Sequence, residues 1–592
     1  SGGPVSILNS DLIREIKLYT GAFPANRGGA LSSVMDITLK DGNPDKQAFK
    51  ATIGASEAGF SASGHIGSRT TYVASIRQSY LQLLFKVLGL PMLPNYIDGQ
   101  FKSKTKIDSR NEIAFIALAG FDNMKLSDDP DDKGDEYLLS YLPVLKQETF
   151  TIGASYKHFS DRHIQSYSLS YSYLNNRSRK YLDNDESVGD NLILYSSGLE
   201  GKAQIRCENR SYYGPWTVRE GAEFYFRHYD SDVYRRSRSG IPLDYGTGLS
   251  FFGGGIFVSA DYKSPGGKLN ASAGLRTDAA SYSANTASFW KQFSPRASVS
   301  YLPWENWSFN ASAGFYHQLP PITALSFRDA EGYLANKDLD YMRVISTAVG
   351  ADWKFRDRLF VGLEGFYKQF MDISLSLETG VPLTCTGADY GSIGEEMLVS
   401  SSSGRAYGVE LLVRWLIPDK LSLVGSATLY KSEYKSAKDA DYIPSAWDNR
   451  FILNVSGVYD LPKYWSIGMK VSTIGGSPYT PYDENASSLK VVWDAAGRPV
   501  YDYTKYNQSR LDPYYQIDLR VDKNFYFRKW TLGLYVDLQN VTFSKIRQPD
   551  TYLSTGEILN PDSLPLEQRY ALETLELWSG TIVPAVGVTF EF

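Results

Sequence analysis

The chain has 592 residues, a formal net charge of -5, and 43 Tyr, 29 Phe, 11 Trp and 50 Gly against only 7 Met. The slight acidity argues against nucleic acid as a partner. The mean hydropathy of -0.30 and the absence of any run of 18 apolar residues exclude spanning helices, but not a membrane β-barrel, whose alternating strands average out to polar.

After the first 45 residues, the dominant signal is alternation. Twenty-two candidate strands centre near residues 53, 63, 74, 104, 117, 154, 170, 200, 223, 256, 273, 298, 312, 348, 365, 410, 427, 455, 469, 518, 536 and 587. Val409, Leu411, Val413 and Trp415 alternate with Gly408, Glu410 and Arg414, and Ile517, Leu519 and Val521 with Asp518, Arg520 and Asp522. Trp530, Leu532, Leu534, Val536 and Leu538 alternate with polar or small residues, as do Val586, Val588, Phe590 and Phe592 at the end of the chain. Successive side chains of a strand face opposite sides, so each strand has an apolar and a polar face. A soluble sandwich has the same alternation. So many strands in one barrel, however, enclose more space than side chains fill, which makes the polar face the lumen and the apolar face the side that needs lipid.

The connections sharpen this. Ser68-Arg69, Asp108-Ser109-Arg110, Ser160-Asp161-Arg162, residues 263–267, residues 303–306, Arg356-Asp357, Pro418-Asp419 and Pro462-Lys463 are short. Long stretches fall between them: 80–100, 125–148, 178–192, 231–249, 280–293, 317–341, 373–403, 434–449, 476–511 and 544–581. The first hairpin, around Glu57-Ala58-Gly59, is short on the long side. Strict short/long order is what antiparallel membrane strands produce when one end faces the periplasm and the other faces outside. Trp304 and Trp307, Tyr464 and Trp465, and Phe525, Tyr526, Phe527 and Trp530 flank short turns, where an aromatic girdle sits.

The motifs that follow resemble a known family. The opening Ile13-Arg14-Glu15-Ile16-Lys17-Leu18-Tyr19-Thr20-Gly21-Ala22-Phe23-Pro24-Ala25-Asn26-Arg27-Gly28-Gly29, then residues 30–39 and the exit Lys40-Asp41-Gly42, resembles the end of the plug domain of TonB-dependent outer-membrane transporters, in a phrasing most similar to Bacteroidetes-type receptors. Gly274-Leu275-Arg276-Thr277-Asp278, Phe293-Ser294-Pro295-Arg296, residues 314–320, Asn336-Lys337-Asp338-Leu339, residues 407–411, residues 518–523, Gln539-Asn540-Val541-Thr542 and the terminal Phe590-Glu591-Phe592 resemble successive barrel signatures. The resemblance implies an all-β fold: a 22-stranded antiparallel transmembrane β-barrel, residues 46–592, preceded by a C-terminal fragment of the plug, residues 1–45. It places the plug–barrel junction at Arg27, Gly28, Gly29 and Gly42. It also implies an integral outer-membrane protein surrounded by lipid. The resemblance further implies TonB as a partner, expected to act through an N-terminal segment absent from this chain.

Chemistry is sparse. No Gly-x-Ser-x-Gly, His-Glu-x-x-His or phosphate-loop motif occurs, and the five histidines form no acid-paired set, so no enzyme is expected. Cys207 and Cys385 have no metal spacing. No cofactor is expected. The one candidate metal is Ca²⁺ on the acidic loop with Asp128, Asp129, Asp131, Asp132 and Asp135, whose spacing is not an EF-hand and which reads equally as a solvated tip. His317 stands where haem receptors of the family carry a related motif, from which this sequence departs. On the polar face, Glu410, Arg414, Asp518, Arg520 and Asp522 are expected to bond to a plug filling the pore, since buried charges need partners.

Three functions compete. The first is TonB-driven import of a scarce bulky substrate such as a siderophore, haem, peptide or glycan. The second is a barrel component that docks a surface lipoprotein or another barrel through the last long loop. The third is a passive porin.

Overall fold

The computed structural model describes residues 7–128, 133–236, 243–387 and 394–592. Strand-forming alternation closes into one antiparallel barrel of 22 strands, to which the two-residue strand Ile443–Pro444 adds a small edge pairing. Closure is made by Ala48–Gly54. It pairs on one side with Glu57–Ile66 and on the other with Val583–Glu591, in the register Lys50↔Glu591 and Ile53↔Val588. Every expected strand centre falls inside an observed barrel strand. None of the described helices is long and apolar enough to cross a membrane.

The faces sort as the pattern requires. Tyr407, Val409 and Leu411 point out and are exposed, as are Val349, Leu363 and Leu429 on neighbouring strands. Between them, Lys368 and Glu410 point inward. An outer wall of this kind is stable only against lipid. At the short turns Arg356-Asp357 and Lys463-Tyr464, both central residues have positive φ, which matches the right-handed twist of the strands they join. At the same end of the barrel, Trp304 is opposite Trp307, Tyr464 packs on Tyr526 with ring centroids 4.8 Å apart, and Phe527 on Trp530 at 4.2 Å.

Three connections differ from expectation. The stretch 231–249 is mostly strand, because Trp216–Arg235 and Leu243–Lys263 stay paired out to Arg235↔Leu243, with Tyr229, Val233, Leu249 and Phe251 buried along them. The strand Met92–Lys106 begins well inside the stretch 80–100, because Tyr96, Asp98 and Gln100 are buried on one face. The last long connection carries two ribbons of its own, Ile546–Arg547 with Trp578–Ser579 and Thr551–Ile558 with Tyr570–Leu575.

Inside the barrel lies a short hairpin, β1 (Ile13–Tyr19) and β2 (Val34–Leu39), paired from Ile13↔Leu39 to Tyr19↔Val34. Its base is fixed where Leu12 and Leu39 pack on Val73 of the wall. The first barrel strand starts nine residues after β2 ends.

Leu363 lies four residues above the start of the strand Leu359–Ser376 and is 52% exposed on the lipid face. Leu363→Arg is expected to lower barrel stability by about 2–4 kcal/mol, measured by urea-dependent folding into lipid vesicles. Thr428→Arg, on the lumen face beside Glu410, is expected to cost far less. Equal losses at the two positions would contradict this assignment of faces.

Candidate functional site

The loop between β1 and β2, residues 20–33, runs along the wall with no backbone ladder of its own. Buried carbonyls without donors are costly, so the wall must supply them. It does so largely with cations. Lys368 Nζ donates to Thr20 O (2.9 Å), Ser32 O and Ser32 Oγ, and Ser346 Oγ donates to Gly21 O. Arg296 donates to three carbonyls: Phe23 O at 3.2 Å, Pro24 O at 2.7 Å and Arg27 O at 2.7 Å. Arg206 donates to Asn26 O at 2.6 Å, and Arg276 reaches Ala25 O at 3.5 Å. The Phe23 N–H donates to the Tyr316 hydroxyl.

These cations are themselves held. Arg276, with its side chain 1% exposed, bonds both oxygens of Asp278 and also Glu223. Arg206 joins Glu223 to Glu208, whose carboxylate accepts from the Asn26 side chain. Arg296 is treated differently. Among the described residues it has no carboxylate in an ion pair; it lies instead against the rings of Phe23 (4.8 Å) and Tyr316 (4.4 Å), which pack on each other, and three carbonyl dipoles share its charge. Opposite charges at close range offset the desolvation that burial imposes on each.

The predicted junction residues have distinct placements. Arg27 pairs with Asp36 across the hairpin. Gly28 lies flat against the Arg276 guanidinium: a Cβ there would stand 2.2 Å from Cζ. Gly29 has φ +68° and open space around it. Gly42 rests on wall backbone, where a Cβ would meet Tyr72 O at 2.2 Å. Around this exit, Asp41 pairs with Lys102 and Lys104, Lys50 pairs with Asp11, and Gln100 donates to Ile7 O.

The five lumen charges named from the sequence have other partners. Arg520 pairs with Asp522 and Asp537, and Asp518 accepts from Gln516 and from the Asn540 amide. Arg414 lies over Phe360. Glu410 sits among the inward charges near Lys368. Among the described residues, no hydrogen bond or ion pair joins these five to residues 7–45. Arg206, Arg276, Arg296 and Lys368 were not singled out as hairpin contacts, although Arg276 and Arg296 fall in quoted motifs. The available signal was an Arg or Lys on the polar face of a strand whose inward neighbours are small, such as Gly274.

Asp128 is exposed, and Asp135 lies in the helix Lys133–Tyr141; Asp129, Asp131 and Asp132 lie outside the described residues. Among the described residues, no group of three His, Cys, Asp or Glu side chains could hold a metal. His317 is buried, its Nδ1 at 2.8 Å from Ser294 Oγ. Both cysteines are free, and burial pushes the Cys385 thiol up to about 12.

The hairpin tip is also packed towards the long loops. Phe23 and Tyr316 join Val344, Phe370, Ile373, Val381, Cys385 and Tyr434 in one cluster, against which Ile443 and Tyr506 lean. Asn507 donates to Cys385 O and Pro444 O, and Arg510 bonds the buried Asp448, so that three long loops are tied together. Further round, Asn336 ties two long loops together, donating to Ala324 O and Glu396 O and accepting from the Leu398 amide.

The sequence matches the family model described as "TonB dependent receptor-like, beta-barrel" over residues 95–541. Among solved structures, the fold is similar to that of the ferripyoverdine receptor of the outer membrane of Pseudomonas aeruginosa bound to ferripyoverdine. The TM-score is 0.68 and the identity 11%, covering 98% of this chain and 76% of that one. A ferric enterobactin receptor mutant from the same organism gives a TM-score of 0.70 at 14% identity, covering 100% and 86%. A copper transporter gives 0.66 at 11%, covering 100% and 87%. A comparison with curated proteins gives no match.

Gly28→Ala is expected to unseat the loop, at about 1–3 kcal/mol, because the Arg276 guanidinium is fixed by two carboxylates. Hydrogen exchange of residues 20–33 would speed up while heat-modifiable gel migration of the barrel stayed unchanged. Unaltered exchange in that segment would show that the close approach holds nothing.

Proposed function

Because the chain belongs to the TonB-dependent receptor β-barrel family, and so sits in the outer membrane with TonB as its energising partner, we propose that it actively imports a scarce, bulky substrate. In this reading residues 1–45 are the end of the plug and 46–592 the barrel. The other lumen charges, Glu410, Arg414, Asp518, Arg520 and Asp522, meet the earlier part of the plug.

The observation that carries the reading is the way the hairpin is held. Backbone carbonyls on wall cations are strong enough together to seal the seat, and each bond is replaceable by water as the loop lifts. A segment built only to stay would be joined to the wall by a continuous strand ladder. Pulling on β1 therefore releases the seat bond by bond.

On the substrate side, tyrosines line the loop 475–513. Tyr482 stacks on Tyr501 at 4.7 Å, Tyr503 on Tyr506 at 6.1 Å, and Tyr552 meets Tyr482 edge-on. Exposed rings suit a ring-bearing cargo. The similar structures named for ferric siderophores and for copper support metal complexes as the first class to test, ahead of haem, peptide and glycan.

Deleting the gene is expected to abolish uptake of one labelled substrate from a panel of ferric siderophores, haem and copper, with equal loss in a strain lacking TonB. Tyr501→Ala with Tyr503→Ala is expected to weaken binding about tenfold. Uptake that persists without TonB, or steady ion conductance through the full-length protein in planar bilayers, would replace this reading with a passive pore.

One observation favours a docking role beside transport. The last long loop ends in a tip on which Leu559, Leu564 and Leu566 are all exposed. Apolar residues grouped in this way mark an interaction surface, and a surface lipoprotein is the partner proposed. A stoichiometric lipoprotein that co-purifies with the native protein, and is lost on Leu564→Asp with Leu566→Asp, is the expected outcome. Purification of the native protein alone removes this second reading and leaves the first untouched.

A further inference from the structure

The lipid-facing wall carries a feature that transport does not use. Across four neighbouring strands, the small outward residues Ala297, Ala311, Ala313, Thr347 and Gly365 sink the surface into a shallow apolar groove of about 680 Å³. Its upper rim is formed by Tyr367 and Tyr407, opposite each other in register, with their rings stacked at 6.3 Å. Tyr407 is eleven residues above a short turn, close to the height at which a tilted strand leaves the hydrocarbon.

Directly above that rim the outward face becomes cationic. Arg405 follows Tyr407 on the same face, and across the ladder lie Lys431, opposite Tyr407, and Lys435, opposite Ser403. The change is abrupt, since Leu429, one outward step below Lys431, is an exposed apolar residue. The cations are arranged. Arg405 lies over the Tyr442 ring at 4.2 Å and Lys435 over the same ring at 5.3 Å. Glu433 pairs with Arg405 and Lys431, each at 2.6 Å, while Lys435 makes no ion pair among the described residues. Among the described residues one carboxylate, Glu433, is the only ion-pair partner of these three cations, and Lys435 donates to the Lys438 carbonyl at the top of the apolar groove.

We propose that the groove and its cationic end form a binding site for a phosphorylated glycolipid of the outer leaflet. An acyl chain lies in the groove beneath Tyr367 and Tyr407, and a phosphate rests against Arg405, Lys431 and Lys435. The complementarity decides the class. A neutral chain alone leaves the cations unanswered, and a zwitterionic phospholipid brings its own ammonium against Lys435. Guanidinium and ammonium groups together are the donor set that phosphate prefers. Tyrosine hydroxyls at the rim suit the boundary between chains and headgroups.

The test uses the full-length protein, extracted from outer membranes in mild detergent and weighed intact by native mass spectrometry. It is then re-embedded in nanodiscs of phosphatidylethanolamine doped with lipid A or with dephosphorylated lipid A. The wild type is expected to retain lipid A and not the dephosphorylated form. Lys435→Glu, which breaks no ion pair, and Val349→Trp, which fills the groove, are each expected to reduce retention about tenfold with heat-modifiable migration unchanged. Equal retention of the dephosphorylated lipid or of phosphatidylethanolamine would overturn the proposal, as would wild-type retention by both variants. So would a protein segment, in place of lipid, crosslinked through Val349→Cys.

Discussion

One constraint runs through this molecule: a backbone carbonyl or amide removed from water must find a partner. In the hydrocarbon the only complete solution for strands is closure. The pairing of Ala48–Gly54 with both Glu57–Ile66 and Val583–Glu591 supplies it, and Val583–Glu591 is therefore part of the wall. Inside the barrel the same requirement falls on residues 20–33, which leave the β1–β2 ladder and lie against the wall. There the solution is not a strand but a set of side chains, Arg206, Arg276, Arg296, Lys368 and Ser346, each donating to a carbonyl.

The two solutions differ in how they break. A strand in a closed barrel is held along its whole length by two neighbours and separates only with the fold. A loop held by separate donors detaches one contact at a time. The charges that make those donors also make burial expensive, and Glu208, Glu223 and Asp278 offset the expense. Arg296 shows an alternative route, in which two aromatic faces and three carbonyls take the place of a carboxylate. This leaves it the most dependent of the set on the hairpin being present, since the hairpin supplies one of its two rings and all three of its carbonyl acceptors.

The seat is also continuous with the outer end of the barrel. Phe23 packs through Tyr316, Phe370 and Tyr434 to Cys385 and Tyr506, and Tyr506 stacks on Tyr503 in the tyrosine-lined loop. Asn507 and the Arg510–Asp448 pair lock three long loops against one another. The tyrosines and the hairpin tip are therefore joined by one contiguous series of side-chain contacts.

The sequence by itself determined the wall. Strand number, the face each residue takes and the short/long order of connections all follow from a period of two, which is local. Hence every strand centre was legible, together with the lipid side and the aromatic girdle at Trp304, Trp307 and Trp530. Local pattern reads less well where a strand continues beyond the membrane, since the buried Tyr229 and Phe251 keep Trp216–Arg235 and Leu243–Lys263 paired through a stretch that reads as a loop. Alternation says that Glu410, Arg414, Asp518, Arg520 and Asp522 face the lumen, and says the same of Arg206, Arg276, Arg296 and Lys368. Only the tertiary structure decided between them. Which inward charge meets the hairpin depends on where around the ring the hairpin leans, and on the small neighbours that let it approach. Gly28 against Arg276 is a contact between residues some 250 positions apart, set by barrel closure and by no local period.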